Sequence, residues 1–222
     1  MLSAGFKDKI EDINRNLPQS SQTILLSATM PSEIHELIEK ILRNPVRIID
    51  PREEISLDGV RQFYVALEKE EYKEIVVMDL FERLQLASTL FFCNSRRKVD
   101  FLADLLQKQR FTVSKIHGGM EMPERNQMMK DFREGRSRVL ITHDLLLRGI
   151  EIRQVLIVMN YDVPTEKEQY IHRIGRLSQF DKKGSVINLA SVSSRLQTSL
   201  LFAWTQLEFY RQMQGLKFFM QG

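Results

Sequence analysis

The stretch Thr89-Leu90-Phe91-Phe92-Cys93-Asn94-Ser95-Arg96-Arg97-Lys98-Val99-Asp100-Phe101-Leu102-Ala103 decides how the rest of the chain is read. Its first five residues form an apolar run of strand length, which suits a strand buried on both faces. Asn94 or Ser95 can then cap a helix. From 95 to 109, Val99, Leu102, Ala103 and Leu106 recur on one face of a helix that packs on a sheet. A strand that turns directly into such a helix is half of a strand–helix–strand unit.

The same rhythm extends in both directions. Buried strands are predicted at Thr23–Leu26, Val113–Ile116, Val139–Thr142, Val155–Met159 and Val186–Leu189, with an edge strand at Arg61–Leu67. Helical patterns lie between them. Residues 70–84 carry Tyr72, Ile75, Val76 and Leu80 on one face, and residues 124–133 carry Met128, Met129 and Phe132. Alternation of this kind predicts an α/β fold, a mostly parallel sheet with helices on both faces. Ligands of such sheets bind at the loops after the carboxyl ends of the strands.

Two regions stand apart. Residues 1–50 hold one strand, a helix opened by Pro31-Ser32-Glu33, and Asn44-Pro45, and residues 51–58 read as a charged linker. Residues 193–222 form a helical segment rich in aromatics, Phe202, Trp204, Phe209 and Tyr210 among them. The domain division is therefore 1–50, 51–192 and 193–222. No apolar run is long enough to cross a membrane, and the first residues lack the layout of a signal peptide. One cysteine, Cys93, excludes an internal disulfide and a multi-cysteine zinc site, which suggests the cytosol or nucleus. The formal charge of +3 permits a nucleic-acid partner without requiring one.

Four predicted strand ends carry chemistry. After Cys93, the helix start offers backbone N–H groups to a phosphate, with Arg96 and Arg97 following directly. Gly118-Gly119 after His117 fits either a close backbone approach to a ligand or a tight turn. Thr142-His143-Asp144 and Arg148-Gly149-Ile150-Glu151 bring together a hydroxyl, two carboxylates and an arginine. In Tyr170–Arg176, helical spacing projects His172 with Arg176 and Arg173 with Arg176. Arginine forks suit phosphate oxygens, so a polyphosphate or nucleic-acid backbone is the expected ligand. No G-x-x-x-x-G-K-[ST] loop is present, no Asp-Glu-Ala-Asp cluster holds magnesium, and the four histidines have no metal-ligand spacing. No metal site is expected, and the chain alone is not a complete NTPase.

These motifs, in this order, resemble the DEAD-box family of RNA helicases, most closely the group around translation initiation factor four-A. Ser27-Ala28-Thr29 looks like motif III, Phe91–Asn94 motif IV, Thr142–Glu151 motif V and His172–Arg176 motif VI, with Asn160-Tyr161-Asp162-Val163-Pro164 between the last two. The resemblance runs from Met1 to about Asn188. It implies a RecA-like three-layer sandwich, the second of two such domains that close around ATP and single-stranded RNA. By the same resemblance, Asn94, Ser95, Arg96, Gly118, Arg125, Thr142 and Arg148 contact RNA. Gly149, Glu151, Arg173 and Arg176 contribute to the ATP site, Arg173 and Arg176 acting on its phosphate when a first domain is supplied. Ser27, Thr29 and His172 couple the domains. Magnesium would be held by the first domain, of which residues 1–50 look like a remnant. The expected partners are single-stranded RNA, a helicase N-terminal domain or a helical-repeat scaffold, with the chain itself a monomer.

The chain departs from the family's pattern where hydrolysis is concerned. Gln179 stands in place of the outer arginine of motif VI, His143 in place of a threonine, Leu147 in place of an alanine and Glu151 in place of an aspartate. Met122 and Gly119 replace a glutamine and an aspartate. An inactive, RNA-binding helicase half is the expectation. A working half of a split helicase and a protein-interaction module are the competing readings.

Overall fold

The computed structural model describes residues 7–27, 38–48, 60–84, 88–143, 155–177 and 184–191. The readings at Thr29, 51–58, Asp144, Arg148, Gly149, Glu151, Gln179 and 193–222 lie outside those residues. The chain separates into two compact units, Met1–Glu53 and Glu54–Gly222.

In the first unit, helix α1 (Lys7–Arg15) carries Asp8 in its first turn and Arg15 in its last, as the helix dipole favours. The predicted strand Thr23–Leu26 is not one: residues 21–27 have no regular structure, with Ile24 73% and Leu26 90% exposed. A parallel strand needs hydrogen-bonded neighbours, and no described strand forms a ladder with this segment. An apolar run alone did not create the ladder.

The second unit holds the sheet. Its strands are β1 (Val60–Leu67), β2 (Thr89–Cys93), β3 (Val113–Ile116), β4 (Val139–His143), β5 (Ile157–Asn160) and β6 (Gly184–Ser191). Its helices are α2 (Tyr72–Leu84), α3 (Arg96–Lys108), α4 (Met122–Arg133) and α5 (Lys167–Ile174). The strands pair in the order β1-β6-β5-β2-β4-β3, every neighbour parallel. All five residues of β2 are buried, as a central strand with both faces covered requires. β1 is an edge strand, as its sequence suggests. β2 and β3 have their predicted bounds, β4 gains His143, and β5 starts two residues late.

Successive side chains of a strand point to opposite faces, and the core divides accordingly. Phe91 and Cys93 join Val76, Val77, Leu80 and Phe81 of α2 and Val99, Leu102, Ala103 and Leu106 of α3. Leu90 and Phe92 join Met129 and Phe132 of α4 and Tyr170 and Ile174 of α5. The predicted inward faces hold for α3 and α4. In α2, Tyr72, Val76 and Leu80 face inward as expected, but Ile75 is 61% exposed, while Lys73 is only 1% exposed. The consecutive pairs 72–73, 76–77 and 80–81 make up the inward face.

Candidate functional site

In-register pairing aligns the strand ends at one edge of the sheet. Cys93 lies beside His143, Phe92 beside Asn160, and Ile116 beside Thr142. The turns that follow β2, β3 and β5 therefore leave the sheet together, with the end of β4 beside them.

The turn after β2 opens α3. Ser95 is the N-cap, in extended backbone, and its side chain accepts the Lys98 N–H at 3.3 Å. Such a cap is worth about 1 kcal/mol. Asn94 is committed on three sides. Its backbone N–H donates to Asp162 Oδ2 at 2.9 Å, its Nδ2 to the Val163 carbonyl at 2.9 Å, and its Oδ1 accepts from Arg173 Nη2 at 2.9 Å. With Lys98 satisfied by the cap, the N–H groups of Arg96 and Arg97 are those of the first turn without an intrahelical acceptor. Both side chains are exposed.

Arg96 folds back over the turn after β3. A Cβ built on Gly118 would lie 3.1 Å from Arg96 Nη2, and one on Gly119 would lie 3.7 Å from Nη1. The two glycines thus let the guanidinium lie close against the turn. Beneath it, the Gly119 N–H donates to His117 Nδ1 at 3.1 Å, which places the imidazole proton on Nε2, 3.2 Å from Asp100 Oδ1. Lys115 donates to the same oxygen at 2.6 Å, and this bond is the main reason the Asp100 carboxyl sits below its ordinary pKa. Arg125, on the first turn of α4, is half-buried, and its Nε has no hydrogen-bond partner among the described residues. Thr142 is fully buried, its hydroxyl bonded to the His143 carbonyl at 3.2 Å.

The turn after β5 and helix α5 complete the edge. Arg173 is 1% exposed. Its Nη1 donates to Asn160 Oδ1 at 2.9 Å and to the Asp162 carbonyl at 2.6 Å, and its guanidinium lies 4.9 Å from the Phe92 ring centre. The pairing of Arg173 with Arg176 expected from helical spacing does not form. α5 ends at Ile174 with Gly175 as its cap, so Arg176 lies in the turn beyond. Arg173 points into the fold. Arg176 is half-buried and donates from Nε to the His172 carbonyl at 3.2 Å; burial lowers its pKa. His172 is half-buried as well, and Ser27 is exposed in the first unit.

The sequence reading missed a charge cluster at the centre of this edge. Asp162 Oδ1 accepts from Lys98 Nζ at 2.6 Å and from Lys73 Nζ at 2.9 Å. Glu70 Oε1 accepts from the same lysines at 2.8 and 2.7 Å. Burial works against ionisation of Asp162, but Lys73, the Asn94 N–H and Lys98 overcome it and hold the carboxyl below its ordinary pKa. Glu70 behaves likewise: burial opposes, the lysine bonds prevail, and its pKa falls to about 2. The signals were present as polar residues at apolar addresses: Lys73 on the inward face of α2, and Asn160 and Asn188 inside apolar strands.

Residues 72–180 match the helicase conserved C-terminal domain family. The chain is 51% identical over 191 residues to the ATP-dependent RNA helicase eIF4A of Mycosarcoma maydis, covering 86% of this chain and 46% of that protein. The eIF4A of Chaetomium globosum matches at the same identity, with 48% of its length covered. The chain thus spans about half the length of these curated relatives. Among solved structures, S. cerevisiae Dbp5 bound to RNA and ADP BeF3 superposes with a TM-score of 0.85 at 32% identity, over 94% of this chain and 56% of that one. The C-terminal domain of the DEAD-box protein Dbp5 matches with a TM-score of 0.64 at 33% identity, over 69% of this chain and 90% of that one.

The chain belongs to the DEAD-box family. It carries the C-terminal domain of a DEAD-box RNA helicase, and the parallel sheet with helices on both faces is the RecA-like fold of that family. The motifs that carried the resemblance in sequence lie at one edge of that sheet wherever they fall within the described residues of the second unit.

Proposed function

We propose that this DEAD-box domain binds the backbone of single-stranded RNA at the edge formed by the turns after β2 and β3. In this reading it contributes Arg176 to an ATP site completed by an N-terminal RecA-like domain. The observation that carries the reading is the placement of Arg96. Its guanidinium lies against Gly118 and Gly119, beside the opening turn of α3 and the exposed Arg97. A cation over bare backbone, next to unclaimed first-turn N–H groups, suits a phosphodiester. Such contacts read phosphate and 2′-hydroxyl, so recognition is largely sequence-blind. Dbp5, similar over most of this chain, was solved bound to RNA.

In the ATP half of the reading, Arg176 is the phosphate-facing group. Arg173 has its donors engaged within the fold, so its contribution is indirect. Gly149 and Glu151 remain candidates by resemblance. Magnesium is assigned to the N-terminal domain. Gln179 supplies no positive charge, so hydrolysis is attenuated even in the completed site.

The test is binding of the purified chain to labelled single-stranded RNA across a salt series, with and without ATP. Affinity should fall steeply with salt, with a log–log slope of about −0.7 for each phosphate contacted. Binding that ignores salt, or no binding at low salt, would end this reading.

A second reading has its own observation. Ile75 on α2 is 61% exposed and Phe101 on α3 is 46% exposed, and these two helices cover the same sheet face. Exposed apolar side chains on one face suit a protein partner. Dbp5, again, was solved bound to Gle1. Loss of that partner, with RNA binding intact, on Ile75→Glu with Phe101→Glu would support a scaffold role.

A further inference from the structure

Helices α3 and α4 lie on opposite faces of the sheet and end in the same way at its amino edge. In each, the residue after the C-cap has a left-handed backbone, Arg110 at φ 65° and Gly135 at φ 74°. Its N–H and the next one bond back into the last turn. In α3, Arg110 donates to the Gln107 carbonyl and Phe111 to that of Leu106; in α4, Gly135 donates to Phe132 and Arg136 to Asp131. Glycine suits this position because a Cβ crowds the backbone there. Helix α4 has the glycine. Helix α3 carries an arginine instead, held in strained backbone with its side chain exposed.

A second arginine stands beside it. The Arg138 N–H, just before β4, donates to the Thr112 carbonyl at 3.1 Å and to the Thr112 hydroxyl at 3.3 Å. Thr112 is two residues beyond Arg110, so the two arginines leave the fold from neighbouring points. Ser137 turns inward, 5% exposed, with its hydroxyl 2.6 Å from that of Ser114, and Arg138 is left exposed. Lys108, the last residue of α3, is exposed as well. None of these three cations has an ion pair among the described residues, and Asp104, one turn before Lys108, does not pair with it. The carboxylates at the end of α4 are claimed already: Arg136 holds Asp131 at 3.0 Å and also pairs with Glu134. A basic residue in the last turn offsets the helix dipole, which accounts for Lys108. It does not account for Arg110, which lies past the cap, or for Arg138, which precedes a strand.

We propose that Lys108, Arg110 and Arg138 form a second anion surface, at the opposite end of the sheet from Arg96, that takes the phosphodiester backbone of an RNA strand. Guanidinium forks donate paired hydrogen bonds to phosphate oxygens. Strands β2 and β4 are five residues long, which separates the two edges by roughly 16 Å. A strand held at one edge is concentrated at the other, so a few exposed contacts here add to the whole affinity. The choice of RNA rests on the RNA-binding reading above, whereas the charge geometry does not. An acidic polypeptide meets the same cations without that tether.

The experiment follows backbone amide resonances of the 222-residue chain during titration with single-stranded oligouridine. An oligomer of about 20 nucleotides, at about 3.4 Å each, exceeds the span between the edges. Residues 108–112 and 136–138 should shift along with residues 95–97. Arg110→Gly combined with Arg138→Gln removes both guanidinia but keeps the left-handed turn and the backbone bonds to Thr112. In that variant the thermal midpoint should hold or rise, because glycine suits the turn. Residues 108–112 and 136–138 should fall silent, and the log–log salt slope of RNA binding should flatten by about 1.4, two phosphate contacts. The inference is overturned if only residues 95–97 shift in the unsubstituted chain, or if the variant keeps its slope; the RNA-binding reading survives both results. Shifts confined to 108–112 and 136–138 would support this surface and sink the reading at the turns after β2 and β3. Polyglutamate that moves these residues where oligouridine does not would assign the surface to an acidic protein and overturn the choice of RNA. No RNA-induced shift anywhere would sink both.

Discussion

Replacing Arg173 by lysine keeps the charge and removes the fork. The guanidinium meets acceptors in two directions, Asn160 Oδ1 and the Asp162 carbonyl through Nη1 and Asn94 Oδ1 through Nη2, while its plane lies over Phe92. An ammonium is a point donor at the end of a linear chain, and the arginine's planar reach is lost. If it keeps the acceptors on one side, an oxygen on the other loses its partner, a penalty of about 1–3 kcal/mol. Loss of the guanidinium over the ring adds about 0.5–2 kcal/mol. The expected total is about 1.5–5 kcal/mol, measured as the shift in the urea midpoint followed by far-UV circular dichroism with m unchanged. In thermal unfolding the same loss lowers the midpoint by roughly 3–20 °C for a domain of this size. A loss under about 1 kcal/mol would refute the reasoning. The guanidinium would then not be holding the turns, and Arg173 would return to the set of residues available to a phosphate.

Three further outcomes follow from the same edge. In Gly118→Ala the new methyl meets only the tip of Arg96, a flexible side chain, so stability should stay within about 0.5 kcal/mol. Arg96 is displaced, however, and the RNA salt slope should flatten by about 0.7, one phosphate contact; an unchanged slope would remove Arg96 from the interface. For acid, both Glu70 and Asp162 ionise more readily folded than unfolded, so their stabilisation is complete above their ordinary values of 4.5 and 3.8 and is lost as pH falls toward the folded values, about 2 for Glu70. Glu70→Gln should flatten the fall in thermal midpoint over that window, and a curve parallel to that of the unsubstituted chain would contradict the assignment. Gln179→Arg, assayed with a DEAD-box N-terminal domain supplied, should raise ATP hydrolysis at least about tenfold; no gain would place the defect at His143, Leu147 or Glu151.

The β2–α3 unit was legible because every signal in it agrees: an apolar run of strand length, a capping serine, then helical spacing. Where the reading failed, a local pattern had been asked a question about neighbours. Thr23–Leu26 has the composition of a central strand, yet composition does not supply the strands on either side. In α2, the expected inward face included Ile75, which is exposed, and left out Lys73, which is buried. Lys73 sits inward because Asp162, 89 residues further along the chain, waits for it there. In α5, the projection of Arg173 with Arg176 assumed a helix that continues, whereas it stops at Ile174. Each error has the same origin: the partner that fixes the residue is distant in sequence.

That origin also explains why the basic character of the chain was a weak guide to its ligand. Counted in sequence, Lys73, Arg96, Arg97, Lys98 and Arg173 are five equivalent charges close to strand ends. Folded, they separate into two kinds. Lys73, Lys98 and Arg173 are claimed by Asp162, Glu70, Asn94 and Asn160, and they hold the strand ends in register with the helices. Arg96 and Arg97 stand exposed on the first turn of α3, with no ion pair to a carboxylate among the described residues. Among the described residues, a phosphate approaching the opening turn of α3 therefore meets Arg96 and Arg97 first. The paired cations act on it mainly by fixing where those arginines stand. Removing a paired cation should change geometry and stability, while removing an exposed, unpaired one should change the salt dependence of binding. That difference is what separates the two roles by experiment.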